Sequence, residues 1–236
     1  MTEVLYMKDV ESNYVKEFDA KVVRRGDDYV VLDRTAFYAE AGGQPTDKGI
    51  LRWSGAESVV RNVKKDKGIV KHFVEPMPES SDVHGELDWE RRHALMRMHT
   101  AQHVVSGVVF DLFQARTVGN QMHTDRARID FHPVTFVDND LRVIEETCNN
   151  VIAKHIPVTI YEEDREILEE KMGKQRYIMD LIPKSIRRLR VIQIGDFDIC
   201  PCGGTHVRNT SELGKVHVLG RRSKGTDKER LTYELV

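Results

Sequence analysis

Residues 97–103 read Arg97-Met-His-Thr-Ala-Gln-His103 and lie inside a run with helical periodicity that starts near Trp89. His99 and His103 stand at i and i+4, so both rings leave one face of the helix. Alone, such a pair fits solvated or hydrogen-bonded histidines as well as it fits a metal. A second pair raises its meaning: Cys202-Gly-Gly-Thr-His206 sets a thiol and an imidazole four residues apart near the C-terminus. Together the pairs form a mixed N/S donor set of the kind a tetrahedral zinc ion accepts. About a hundred residues separate them, so the site joins distant elements and is no local zinc finger.

The surroundings of each pair refine this. Ala101, Val105, Val108 and Leu112 fall on one helical stripe. At roughly 100° per residue, His99 and His103 lie far round from it, which predicts a helix that packs with one side and lines a pocket with the other. Thr100 follows His99 where a zincin peptidase motif needs a glutamate base, so peptidase chemistry is disfavoured. Gly203 and Gly204 permit the turn that would aim Cys202 and His206 at one ion. Cys200 is a competing ligand, less natural because Pro201 interrupts the alternation around it. From the residues alone the opposite reading also stands, with Cys200 and Cys202 as buried thiols and the histidines as ordinary ones. Four protein ligands would close the open position a catalytic zinc keeps. The expectation is an exchangeable ligand, His206 being the looser, or three protein ligands plus water.

Outward from these pairs the C-terminal part reads as helices and antiparallel strands. Arg126–Phe131 alternates as a half-buried strand, with Asp130 either orienting a histidine or facing solvent. Asp138 and Asp140 are cap candidates for a helix whose stripe is Leu141, Ile144, Cys148, Val151 and Ile152, which makes Cys148 a core residue. Pro157–Tyr161 is a strand, a charged helix follows over about 163–172, and Leu189–Ile194 with Phe197–Ile199 forms a hairpin turning at Gly195-Asp196. Lys215–Leu219 and Leu231–Leu235 end the pattern. The expected fold class is α+β, with helices on an antiparallel sheet.

The N-terminal part lacks helical periodicity. Short strands are expected at Ala20–Arg24, Tyr29–Leu32, Ile50–Trp53, Ser58–Arg61 and Ile69–Phe73, suggesting a small antiparallel barrel. Between them lies a glycine-rich loop with Gly42, Gly43 and Gln44, which either packs on Phe37 and Tyr38 or touches substrate. It lacks the P-loop spacing. The proline-rich stretch 75–82 reads as a linker, which places a boundary near 75–90.

Composition bounds the function. The chain has 236 residues, 40% hydrophobic and 31% charged, with net charge -2, so nucleic-acid binding would rest on local patches. Two basic clusters qualify, one with Arg187, Arg188 and Arg190, the other with Arg221, Arg222 and Lys224. Three cysteines fit a reducing compartment and no disulfide scaffold. With no membrane-length apolar run and no signal-peptide pattern after Met1, a cytoplasmic protein is expected.

Taken together, His99-Thr-Ala-Gln-His103 and Cys202-Gly-Gly-Thr-His206 resemble the paired motifs of alanyl-tRNA synthetase editing domains. Phe37-Tyr-Ala-Glu-Ala-Gly-Gly-Gln44 is similar to the glycine-rich segment preceding that domain, and Gln121, Arg128-Ile-Asp-Phe131 and Gly195-Asp-Phe197 match further pieces in the same order. A related domain occurs in threonyl-tRNA synthetases. The chain has no room for an aminoacylation domain and so resembles the free-standing AlaX type, in its medium-length form with an N-terminal barrel. The resemblance implies a barrel domain at 1–88 and an editing domain at 89–236. It implies one zinc ion on His99, His103, Cys202 and His206, with Gln121 and Gln102 as polar pocket residues. The implied substrate is tRNA(Ala) charged with the wrong amino acid, serine and perhaps glycine, since a binding pocket rejects small analogues poorly and a second hydrolytic site corrects the error.

Overall fold

The computed structural model describes residues 2–172 and 182–236. Six strands close into an antiparallel barrel: β2 (Glu17–Arg25), β3 (Tyr29–Leu32), β5 (Gly49–Trp53), β6 (Ala56–Asp66), β7 (Ile69–Glu75) and β8 (Asp82–Leu87), in the order β2-β3-β7-β6-β5-β8. A parallel pair, β1 (Glu3–Val4) and β4 (Arg34–Thr35), lies beside it. Alternation builds the interior. Phe18, Ala20 and Val22 of β2 meet Leu51, Trp53, Val60, Val63, Val70, Val74, Val83 and Leu87 from the other strands. The barrel expected from the sequence is present. Its closing strand, β8, lies in the stretch read as short strands to about Leu87, but no strand is named there after Phe73 and 75–82 is read as a linker. Only Val83 and Leu87 carry β8's apolar phase, with Gly85 between them, so its signal is thin.

Helix α1 (Trp89–Phe113) follows, its start capped by the Asp88 carboxylate accepting from the Arg91 N–H. Every residue from Met98 to Val109 is buried, so α1 is a central helix covered on all sides, not an amphipathic one. Ala101, Val105 and Val108 are in the core as expected. Leu112 is not, being 42% exposed where the helix end emerges.

Around α1 stand two antiparallel sheets and two more helices. One sheet has the order β14 (Val216–Ser223), β15 (Glu229–Leu235), β10 (Ala127–His132), β9 (Arg116–Met122). The other runs β11 (Val158–Asp164), β12 (Arg188–Ile194), β13 (Asp198–Pro201), with the hairpin at Gly195-Asp196 as the sequence indicates. Helix α2 (Asp138–Ile152) buries Ile144, Cys148, Val151 and Ile152. The Asp140 carboxylate accepts from the Val137 N–H at its start, while Asp138 is the first helical residue. Helix α3 (Arg165–Met172) begins two residues later than expected, because β11 runs on to Asp164. The whole is α+β. Among the described residues no helix is long and apolar enough to cross a membrane.

Candidate metal centre and its pocket

The fold brings the two sequence pairs together. One donor atom from each of His99, His103, Cys202 and His206 lies within 4.8 Å of the others. The Cys202 Sγ is 3.5 Å from His99 Nε2 and 3.3 Å from His206 Nε2. Four ligands around a tetrahedral zinc, at its usual Zn–N and Zn–S lengths, stand about 3.3–3.6 Å apart. The sulfur's distances to His99 and His206 match that spacing.

Hydrogen bonding fits it too. Each histidine turns its Nδ1 outward to a partner. His99 Nδ1 meets Gln44 Oε1 at 2.8 Å, His103 Nδ1 meets Asp198 Oδ2 at 3.0 Å, and His206 Nδ1 meets Thr100 Oγ1 at 3.2 Å. The Thr205 N–H donates to the same Gln44 Oε1 at 3.1 Å, and the Gln44 amide donates to Thr205 Oγ1 at 2.8 Å. Gln44 Oε1 is thus an acceptor, so His99 carries its proton on Nδ1. Asp198 assigns His103 in the same way. The Nε2 atoms of His99 and His206 then face the Cys202 sulfur, in a group of donor atoms that could hold a metal ion. The Gly204 N–H also donates to Cys202 Sγ at 3.4 Å.

Electrostatics agree. Burial would raise the Cys202 thiol, but the His99 and His206 charges and hydrogen bonds from His103 and His206 hold it well below the usual cysteine value, toward the thiolate a metal takes. Burial opposes a charged His103, yet its bonds to Asp198 and Cys202 raise its pKa to about 10. Burial, and next the His99 charge, hold His206 well below its ordinary value.

Local backbone makes these placements possible. A Cβ on Gly204 would come within 2.0 Å of His99 Cε1, so only glycine lets the 202–206 turn close on the helix. Gly43 has φ +84, and a Cβ there would fall 1.6 Å from Asn120 Oδ1. The loop is pinned to β9 by the Met122 N–H donating to Gly43 O at 2.9 Å. The N-terminal segment completes the frame: Asn13 Oδ1 accepts from the His206 N–H at 2.7 Å.

A cavity of about 500 Å³ opens over the cluster, lined by His99, His103 and Cys202 with Gln102, Tyr38, Gly42, Thr117 and Asn120. Gln102 is at the pocket as the sequence reading expects, its amide donating to Ser106 Oγ at 2.9 Å. Gln121 is not. It is exposed, and its carbonyl accepts from Arg128 at 2.6 Å. Neighbours on a strand face opposite ways, and on β9 the pocket side belongs to Asn120. Asp130 binds Arg230 at 2.6 Å and no histidine, because β10 points it to the outer face. The orienting carboxylate is Asp198. Its signal was strand alternation, which sets Asp198 and Cys200 on one face of β13, just before Cys202. His206, expected to be the looser ligand, is fully buried beneath the other three, and half-buried Cys202 faces the cavity. Cys200 lines the cavity outside the four-donor group.

The basic residues divide. Arg187, Arg188, Arg221, Arg222 and Lys224 are exposed, with Arg188 near Glu162 and Arg221 near Glu229. Arg190 is buried and serves as an internal brace, donating to Cys202 O at 2.6 Å and Met7 O at 3.0 Å. It is removed from the surface set because β12 is covered on both faces.

Comparison with known proteins places this architecture among the alanine-specific branch of tRNA synthetases and their relatives. Residues 3–91 match the family described as tRNA synthetases class II (A), and residues 189–232 match the threonyl and alanyl tRNA synthetase second additional domain. The chain is 38% identical over 245 residues to the alanyl-tRNA editing protein AlaX-M of Methanosarcina barkeri, covering 100% of both. It is 37% identical over 247 residues to AlaX-M of Methanosarcina acetivorans, again covering 100% of both. Identity to the alanine–tRNA ligase of Thermococcus kodakarensis is 38% over 238 residues, 98% of this chain but 25% of that enzyme. The chain belongs to the AlaX-M family of alanyl-tRNA editing proteins.

Proposed function

We propose that this protein is a cytoplasmic, zinc-dependent hydrolase that deacylates mischarged Ser-tRNA(Ala), and Gly-tRNA(Ala) as a second substrate. The observation that carries the reading is the convergence of three imidazole Nε2 atoms and a thiol sulfur under an open cavity in a chain of the alanyl-tRNA editing family. Zinc on His99, His103, Cys202 and His206 would supply electrophilic polarisation of the ester. The rest falls to the chain. Gln44, Asp198 and Thr100 fix the three rings. Gln102, its amide nitrogen held by Ser106, lines the cavity and is the polar side chain that meets the substrate's hydroxyl or ammonium group. Gly42 and Gly43 let the loop backbone approach the substrate closely. The exposed Arg187, Arg188, Arg221, Arg222 and Lys224 attract the tRNA body.

A deacylation assay with zinc-loaded protein tests this. Serine is expected to be released from Ser-tRNA(Ala) while Ala-tRNA(Ala) stays intact. Absence of serine release, or equal release of alanine, overturns the reading.

A further inference from the structure

The mouth of the cavity carries a charge pattern that the metal centre does not use. Apart from the cluster histidines, Lys65 is the one cation lining the cavity among the described residues, and Glu40 the one carboxylate. A groove of about 390 Å³ continues outward from there, lined by Glu40, Ala41, Gly42, Gly43, Lys64 and Lys65. Both lysines are exposed at the end of β6, and neither pairs with a carboxylate among the described residues. Lys71 on the adjacent strand is different, held by Asp66 at 2.8 Å. The groove floor is nearly bare backbone, since Gly42 and Gly43 present no side chains and Gly43 is pinned to β9.

Substrate chemistry says what such a track receives. The ester sits on the terminal ribose, so the nearest anion of an aminoacyl-tRNA is the phosphodiester on that ribose's 5′ oxygen, and the next lies one nucleotide back. We propose that Lys65 takes the first of these phosphodiesters, so that the single-stranded 3′ end runs along residues 40–43 into the cavity. The assignment rests on the deacylase reading. Lys65 is a positioning residue: it holds the strand at the depth that sets the ester over the donor cluster.

The test is equilibrium binding of a fluorescent acceptor-stem minihelix with a four-nucleotide 3′ overhang to the zinc-loaded protein, read by anisotropy across a salt series. Lys65→Ala weakens binding about tenfold, as for one lost charge-assisted hydrogen bond. It also lowers the slope of log K against log salt by about 0.7–0.9, and Lys65→Arg restores both. Glu40→Gln, which removes the groove's carboxylate, tightens binding, an effect misfolding does not mimic. A blunt minihelix does not respond to Lys65→Ala. Unchanged affinity and slope in Lys65→Ala, an equal loss on the blunt stem, or no binding by the unaltered protein overturns the proposal. If binding behaves as stated but no serine is released in the deacylation assay, the functional reading fails and the phosphate track stands.

Discussion

Two buried polar knots sit on one face of α1, seven residues apart. At Arg92 the guanidinium is fully buried and meets acceptors only. It donates to Asp47 Oδ2 at 2.9 Å through Nε and to Asn13 O at 3.0 Å, and Asp47 Oδ2 also accepts from the Tyr38 N–H at 2.7 Å. Two turns on, at His99, the three Nδ1 atoms are matched outward, while ring nitrogens and the Cys202 sulfur converge inward. The first knot is matched by its own side chains, apart from Asp47 Oδ1, which is buried without a partner. It fastens helix, loop and N-terminal segment. The second gathers a donor set that could hold a metal ion. Buried polarity alone does not mark a site; the sign of what is left unmatched does.

Breaking the fastener has the largest expected effect. Arg92→Met strands the Asp47 carboxylate in the interior and should cost about 3–5 kcal/mol, read by urea unfolding. Adding Asp47→Leu should recover most of it. A single-variant loss below about 1 kcal/mol would dissolve the distinction between the knots.

His72 sharpens the contrast, because it is a buried histidine that is matched on both sides. Nδ1 lies 3.3 Å from Val30 O and Nε2 2.8 Å from Thr35 Oγ1 inside the barrel. Burial lowers its pKa from 6.5 to about 4, against a raising effect of the Val30 carbonyl. The folded state therefore binds this proton less readily than the unfolded chain. The stability it contributes is present above pH 6.5 and is lost as pH falls through 6.5 toward 4, a total of about 3 kcal/mol at 1.36 kcal/mol per pKa unit. Unfolding curves between pH 7 and 4 should show this slope, and it should flatten in His72→Gln. An unchanged slope would show that His72 is not its source.

The smallest expected effect belongs to the metal knot's supports. Asp198→Asn keeps the shape but removes the charge behind His103, and should weaken zinc affinity about 10–100-fold, measured by chelator competition. Retained zinc affinity would make Asp198 a packing residue.

Local periodicity explains what was legible. The i and i+4 spacing marks all four donor residues, β-branched and apolar runs bounded by turn residues mark β3 and β5, alternation marks β7, and the stripe of α2 marks its buried face. What escaped depends on register or on distant partners. Asn120 and Gln121 differ only in which way a strand points them. Arg190 looks like surface charge until the Cys202 and Met7 carbonyls are placed over it. Asp47 and Arg92 are 45 residues apart, with nothing local in either to announce the other. Gln44 falls in the glycine-rich loop that the sequence singles out, but its hold on His99 needs the barrel to dock.

Asn13 carries one more consequence. Its carbonyl accepts from Arg92, 79 residues on, and its side chain from the His206 N–H, 193 residues on. A contact of that reach closes one of the longest loops the chain can form, and loops of this kind close late in folding. On the ribosome, Asn13 emerges early and waits for His206 while the barrel strands between them are already able to pair. The donor cluster is then among the last features to assemble.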